Sequence, residues 1–389
     1  MNVPLLLAGA ASLLGHDQIL KAFADLGYTA SFIEAPFIKK YMAPSSLYPA
    51  TQYMDAAPAH SIVVPLSEYW ISQCTKFRTC RISTTALKAS RSKKFLYDFF
   101  SKNKIPSPKI FDTLNKAQEF IDHGGRVIVK PQGLFSGYGI KIVSMENRSE
   151  LEHFAKRAAS VNNNALKLFG ITSTDALVTQ VLEGTEFSAD IFFYEGRISV
   201  VRLCRKVIAN IHGTPCTAVC QLVPLTPKIE ESLASWAELL FEKDNISFGQ
   251  FDFIVTEESG IVPIDFACRI GGGMSELFSN HSRNLYADAI SGSTYQIEDN
   301  GTYLTQFNYL PTKSGKIENE NYNLMEGKTT IYKHKGDFVP ECPSSNTSRI
   351  AVVVNKSPII NPTAELFKNL LVGDETIGFW KKSGHSKGQ

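Results

Sequence analysis

Residues 251–273 read FDFIVTEESGIVPIDFACRIGGG. Two apolar runs flank the polar turn TEESG, which predicts a β-hairpin. Each predicted strand carries one acid, Asp252 in FDFIV and Asp265 in VPIDFA. A carboxylate set in an apolar strand is costly unless it is paired or binds a cation. Two hard oxygen ligands facing each other across a hairpin suit Mg²⁺ and its bound phosphates. The competing reading is a pair of sheet-face acids neutralised by lysines. Arg269 ends the second run, ahead of Gly271, Gly272 and Gly273. A guanidinium before a flexible glycine run can clamp a phosphate or a carboxylate through two donors.

Upstream, VIVKPQGLFSGYGIKIV (127–143) predicts a second hairpin, with strand-like halves at 126–130 and 139–143. Its tip is rich in Gly and Ser, including Gly133, Ser136, Gly137 and Gly139. Such a loop can turn its backbone N–H groups toward phosphates while Lys130, at the strand end, supplies charge. The GxxxxGK[ST] spacing is absent. SRSKKFLYDFFSKNKIPSPK (90–109) predicts a helix from about Ser90 to Asn103, halted by Pro106 and Pro108. LVTQVLEGTEFSAD (177–190) predicts strand, Gly turn, strand, with Glu183 and Glu186 beside the turn. PKIEESLASWAELLFEKD (227–244) is an amphipathic helix.

The first ninety residues alternate strand and helix. VPLLLAG (3–9) is a continuous apolar run, the pattern of a strand buried on both faces. DQILKAFADLG (17–27) has helical spacing and stops at Gly27, and TASFIE (29–34) and SIVVPLS (61–67) predict further strands. This βαβ order implies a parallel, doubly wound sheet. Gly9 and Gly15 do not form a dinucleotide fingerprint. At the other end, FNYLPTKSGKIE (307–318), GKTTIYKHKGDF (327–338) and SRIAVVVNK (348–356) predict strands, and PTAELFKNLLVG (362–373) a helix.

Composition narrows the function classes. The 389 residues are 43% hydrophobic and 20% charged, with formal net charge +2. That balance argues against nucleic acid or an anionic membrane as the main partner. The apolar N-terminal run lacks a positive flank and is broken by Gly9 and Gly15, so a buried strand explains it better than a signal peptide. Seven cysteines without a CxxC pair predict reduced thiols and a cytoplasmic protein rather than a disulfide framework or zinc knuckle.

Taken in order, these segments resemble the ATP-grasp superfamily, and within it the carboxylate–amine ligases of the L-amino-acid or dipeptide type. The resemblance covers nearly the whole chain. It implies an α/β fold (α+β in the central part), with three expected units. These are a Rossmann-like N-terminal domain (1–90), an ATP-grasp domain (91–295) with a lid subdomain at about 120–182, and a small C-terminal subdomain (296–389).

It further implies ATP and Mg²⁺ (or Mn²⁺) as cofactors, with Lys93 and Lys130 as the two ATP lysines and Ser136, Gly137 and Gly139 in the phosphate loop. Gln180, Val181 and Leu182 would meet adenine, Glu186 the ribose, and Asp252 and Asp265 the metal. Arg269, Lys130 and Arg205 would be catalytic, and Arg205, Lys206 and His212 in RLCRKVIANIHGTPC (202–216) lie in the region with which family members often line the acceptor site, whereas a lone His or Arg in a strand-turn is more often structural. The family's second metal segment is Glu-x-Asn-x-Arg, whereas this chain reads Asp265-Phe-Ala267-Cys-Arg269. Ala267 removes one ligand and puts a second Mg²⁺ in doubt; Glu276 is the substitute to examine. The expected activity joins a small-molecule carboxylate to an amine through an acyl phosphate, with a homodimer possible. The alternatives are a carboxylase acting through carboxyphosphate and a non-catalytic ATP sensor.

Overall fold

A computed structural model of the chain describes residues 4–9, 15–40, 48–58, 60–74, 80–132, 139–160, 175–317, 326–339 and 349–372. It is a mixed α/β structure built on one parallel sheet and one large antiparallel sheet, as the sequence predicts.

The N-terminal sheet contains β1 (Leu5–Ala8), β2 (Ala30–Glu34), β3 (Gln52–Tyr53) and β4 (Ile62–Pro65) in the order β3-β2-β1-β4. Every pairing is parallel. All four residues of β1 are buried, which is why the run carries no polar residue. Helix α1 (His16–Asp25) turns Ile19, Ala22 and Phe23 inward. Helix α2 (Glu68–Cys74) buries Trp70, whose Nε1 donates to the buried Glu34 carboxylate at 3.1 Å.

The predicted helix over 90–103 is two helices, α3 (Thr84–Arg91) and α4 (Lys93–Lys102). Ser92 separates them with an extended backbone (φ −140°, ψ 107°), and its hydroxyl accepts the Phe95 N–H at 3.1 Å. A serine that bonds the backbone three residues on starts a helix instead of continuing one. Lys93 thereby becomes the first residue of α4, and its side chain projects from that helix's N-terminal end. Ser83 caps α3 in the same way and also donates to the Leu240 carbonyl. Ser83→Ala removes both bonds from a buried site. The expected cost is about 1–2 kcal/mol of stability, read from the urea midpoint. An unshifted midpoint contradicts this role.

Strands β5 (Val127–Pro131), β6 (Lys141–Val143) and β7 (Ala176–Gln180) form a separate antiparallel sheet in the order β6-β5-β7. It is covered by α5 (Leu114–Asp122) and α6 (Leu151–Ala159), around a core of its own that includes Ile121, Val127, Val129 and Leu151.

The large sheet begins β12-β11-β8-β9-β10-β13, from β8 (Thr185–Tyr194), β9 (Arg197–Ile211), β10 (Thr214–Leu222), β11 (Ile246–Thr256), β12 (Gly260–Ala267) and β13 (Tyr303–Pro311). It continues through the strands Ala351–Ser357 and Lys328–Ile331. Residues beyond 295 therefore extend the central sheet, since β13 bonds directly to β10. One face packs on α7 (Pro227–Leu240), where Trp236 meets Phe251 and Phe253 at ring separations of 5.4 and 5.7 Å. The six described cysteines, 74, 80, 204, 216, 220 and 268, are free thiols. Cys342 lies outside the described residues. No helix among the described residues is long and apolar enough to cross a membrane.

Candidate active site

The aspartate hairpin forms as read. Asp252 and Asp265 are directly opposed partners of β11 and β12, beside a register shift. Strand alternation places Glu186, Ser188 and Asp190 on the same sheet face, because β8 pairs Ser188 with Asp252 and Asp190 with Gln250. The site is built on that face.

Both acids carry a lysine. Lys93 Nζ lies 2.8 Å from Asp265 Oδ2. Lys206 Nζ lies 3.1 Å from Asp252 Oδ2 and 2.9 Å from Glu186 Oε1. The lysine-neutralised arrangement and the metal-binding arrangement thus use the same carboxylates. Burial alone would push the Asp252 carboxyl up. Lys206 and hydrogen bonding outweigh it and hold Asp252 below the usual carboxylate range. Burial likewise opposes charge on Lys206, but Asp252 and Glu186 raise it above an ordinary lysine.

Lys130 reaches this cluster from the small sheet. It is 7% exposed, and its Nζ donates to the Tyr97 hydroxyl at 3.1 Å. Tyr97 in turn donates to the carbonyl of Ile264, next to Asp265, at 2.7 Å. Burial lowers the Lys130 pKa, against the pull of Asp265 and Glu186. One tyrosine on α4 therefore ties the small sheet to the aspartate hairpin.

Arg269 is held on every side. Its Nε and Nη2 both reach Glu68 Oε1 on α2, at 2.8 and 2.7 Å. Its Nη1 donates to Gln250 and, at 2.8 Å, to the Ile270 carbonyl. Burial works against its charge, but Glu68 outweighs that and keeps Arg269 firmly protonated. Behind it, Asp190 and Arg202 form a fully buried two-pronged ion pair at 3.0 Å, and Asp190 also accepts the Gly271 N–H. Gly271 lies so close to Arg202 that a Cβ there would sit 2.2 Å from Nη2. The glycine after Arg269 is required by this contact.

The structure brings together Lys93, Lys130, Glu186, Asp252, Asp265 and Arg269. Arg205 does not join them. It is adjacent to Lys206 on β9 and so faces the opposite side of the sheet, where it bonds the Ile360 carbonyl. Lys206 holds the position expected of Arg205, a parity the sequence hides because β8 and β9 shift register after Asp190. His212 sits in the β9–β10 turn with φ 49° and bonds the Thr312 carbonyl at 2.9 Å, a structural role. Glu276 lies on the short helix Ser275–Ser279, where its carboxylate accepts from the Ser275 hydroxyl at 2.8 Å.

The segment expected to meet adenine already uses some of its backbone groups. Gln180 N–H donates to the Lys109 carbonyl and Val181 N–H to the Arg126 carbonyl, both at 2.9 Å. Only carbonyl and later backbone groups of Val181 and Leu182 are then in play for a base. Gly184 follows with φ +151°, and a Cβ there would meet the Val255 carbonyl at 2.2 Å. That close approach sets the turn which places Glu186. Gly139, with φ +66°, precedes β6; Ser136 and Gly137 lie outside the described residues.

The donor set fits a hard divalent cation. Two opposed carboxylates supply oxygen only, and a magnesium site of this kind keeps water and phosphate for its other positions. Ala267 contributes nothing to it. Among the described residues, no group of three His, Cys, Asp or Glu side chains could hold a metal unaided. Lysines, acids and Arg269 gathered on one sheet face can bind a polyphosphate through positional charge and stabilise negative charge that develops there.

Comparison with known proteins bears on the fold. Residues 91–207 match the family model for the phosphoribosylglycinamide synthetase ATP-grasp (A) domain. A phosphoribosylamine–glycine ligase of Pyrococcus furiosus is 24% identical over 210 residues, covering 48% of this chain and 45% of that protein. The match thus spans less than half the length of that relative. Among solved structures, the L-amino acid ligase from Bacillus licheniformis superposes with TM-score 0.61 at 14% identity, covering 95% of this chain and 98% of that one. The biotin carboxylase domain of Hydrogenobacter thermophilus 2-oxoglutarate carboxylase, solved with MgADP and bicarbonate, gives TM-score 0.54 at 16% identity, covering 92% and 87%. All of these are ATP-grasp proteins, and the chain has their fold.

Proposed function

We propose that this ATP-grasp protein is a carboxylate–amine ligase that activates a small acid, an amino acid or similar, as an acyl phosphate. The observation that carries the reading is the convergence of Lys93, Lys130 and Lys206 on the opposed Asp252–Asp265 pair, with Arg269 alongside.

In the first step a carboxylate oxygen attacks the γ-phosphorus of ATP and ADP leaves. In the second, a neutral amine nitrogen attacks the acyl carbon, the bond from that carbon to the phosphate oxygen breaks, and phosphate departs with the bonding electrons, taking up the proton that the nitrogen loses. The first step needs little covalent help from the protein; positioning and charge neutralisation carry it. Lys130 and Lys93 would hold phosphate oxygens, with Tyr97 fixing the Lys130 ammonium. Lys206 would stand between the ribose-side acid Glu186 and the γ-phosphate end of the cleft. Arg269 would orient the transferring phosphoryl group and then the oxyanion. A bound Mg²⁺, held by Asp252 and Asp265, would neutralise phosphate charge. The small sheet would close over the nucleotide and exclude water, which an acyl phosphate requires.

Lys206→Met removes both of its charge-assisted contacts and leaves two half-buried acids, Glu186 and Asp252, without that counter-ion. It is expected to lower kcat/KM for ATP by at least about tenfold. Unchanged kinetics in a folded variant would contradict its place in the site.

The likeness to a biotin carboxylase domain favours one second reading, phosphorylation of bicarbonate. A single screen separates the two: phosphate release with pairs of amino acids, and with bicarbonate alone. Release that depends on an amino-acid pair and yields an amide product supports the ligase. Release with bicarbonate alone supports the carboxylase. ADP binding without phosphate release in any arm leaves only an ATP sensor.

A further inference from the structure

Six side chains join hands across the site. Glu68 Oε1 holds Arg269 Nη2 at 2.7 Å, and Arg269 Nη1 donates to Gln250 Oε1. Gln250 Nε2 then donates to Asp252 Oδ1 at 3.3 Å. Asp252 Oδ2 lies 3.1 Å from Lys206 Nζ, which lies 2.9 Å from Glu186 Oε1. Every member of this run except Gln250 is an acid or a base. The neutral residue stands at one point, between the arginine and the first of the two opposed aspartates.

The strand explains why Gln250 can reach both. Gln250 and Asp252 alternate on β11 ahead of the register shift, so both project from the site face. Gln250 pairs with Ala267 on β12 and with Asp190 on β8. Ala267 brings only a methyl to that position, which leaves the glutamine stem room to extend toward Arg269, two residues further along. The carboxamide fits one way round. A guanidinium only donates and a carboxylate only accepts, so the amide oxygen faces Arg269 and the amide nitrogen faces Asp252. The nitrogen has a second acceptor, the Ser188 hydroxyl at 3.1 Å, which itself accepts from buried Arg202 at 3.2 Å. The amide is therefore fixed at both ends.

We infer that Gln250 is a positioning residue, which sets Arg269 and Asp252 in register for one nucleotide and keeps them from pairing with each other. This role rests on the part of the proposed function that puts a terminal phosphate at Arg269 and a cation at Asp252. A guanidinium and a carboxylate left to meet form a two-pronged pair. Such a pair takes the donors of the arginine away from phosphate and the oxygens of the acid away from the metal. An amide between them uses one donor of the first and one acceptor of the second, and cancels neither charge. An apolar side chain offers neither bond, and a carboxylate or an ammonium offers only one of the two.

The test uses the full chain and two probes, Mn²⁺ with ADP and Mn²⁺ with a non-hydrolysable ATP analogue. Electron paramagnetic resonance reads the Mn²⁺ dissociation constant in the ADP complex. Calorimetry reads how much more tightly the analogue binds than ADP. Gln250→Met keeps the length of the side chain and loses both bonds. It is expected to weaken Mn²⁺ about tenfold or more, the usual scale for a residue that orients a metal ligand. It is also expected to cut the advantage of the analogue over ADP about fivefold or more, since the bond it loses is to a charged group. The second loss is expected to vanish in an Arg269→Ala background, because the amide then has no arginine to place. A role in packing alone would lower the thermal midpoint and leave both ratios intact. A folded Gln250→Met chain with both quantities within twofold of the parent overturns the proposal. So does a loss of the analogue's advantage that is equally large without Arg269. If Gln250→Met does not fold, Gln250→Asn decides in its place. Its stem is one carbon shorter and cannot span both partners, so the same two losses are expected, and their absence overturns the role. A parent chain that binds neither nucleotide removes the nucleotide reading itself, and this role with it. A parent that binds both, beside variants that are unaffected, removes the role of Gln250 alone.

Discussion

Arg269→Ala is expected to reduce product formation by about 10²–10³-fold while the protein remains folded. Loss of one preorganised donor aimed at developing negative charge typically has an effect of that size. Arg269 is anchored through Glu68, Gln250 and the Ile270 carbonyl, so its position is set before any substrate arrives. Lysine at this position keeps the charge but loses the fork, and the two-donor grip on Glu68 with it. Arg269→Lys is therefore expected to recover only part of the rate. The checks are steady-state kinetics and the circular dichroism spectrum of each variant. Turnover by Arg269→Ala within threefold of the parent would remove the arginine from the mechanism.

Asp190→Ala is expected to be the most destabilising single change at the site, by about 3–5 kcal/mol, because it strands the Arg202 guanidinium in the interior. Both side chains are fully buried, and their two bonds are supplemented by the Ser188 carbonyl, the Ser188 hydroxyl and the Gly271 N–H. A folded domain commonly has only about 5–15 kcal/mol in total, so this loss would lower expression and the urea midpoint together. Replacing both partners with apolar residues of similar volume is expected to cost much less, since no charge is then left unpaired. A double variant as unstable as Asp190→Ala would show that the pair is needed for packing, not charge balance. A loss below about 1 kcal/mol in the single variant would contradict the account of a dry, paired interior.

The aspartate hairpin, the parallel N-terminal sheet and the Lys130 hairpin were legible because each is local. Apolar runs, Gly turns and embedded acids signal them within a few residues. What the sequence hid depends on pairing across distance. Choosing Lys206 over Arg205 requires the parity of β9 against β8, and the register shift after Asp190 breaks a simple count. Glu68 belongs to another sheet's helix and meets Arg269 only in three dimensions. Tyr97 reads as one more aromatic of an amphipathic helix until its hydroxyl is seen between Lys130 and Ile264. The break between α3 and α4 is hard to read although Ser92 marks it, because SRSKKF fits a helical pattern as well as a cap.

The most direct measurement of the central claim is a crystal structure of the protein with ADP and Mn²⁺, read by anomalous scattering. The account predicts a manganese peak between Asp252 and Asp265, bonded to the diphosphate, with Lys130 on a phosphate oxygen. A nucleotide bound elsewhere, or manganese absent from the two aspartates while ADP is in place, would contradict it.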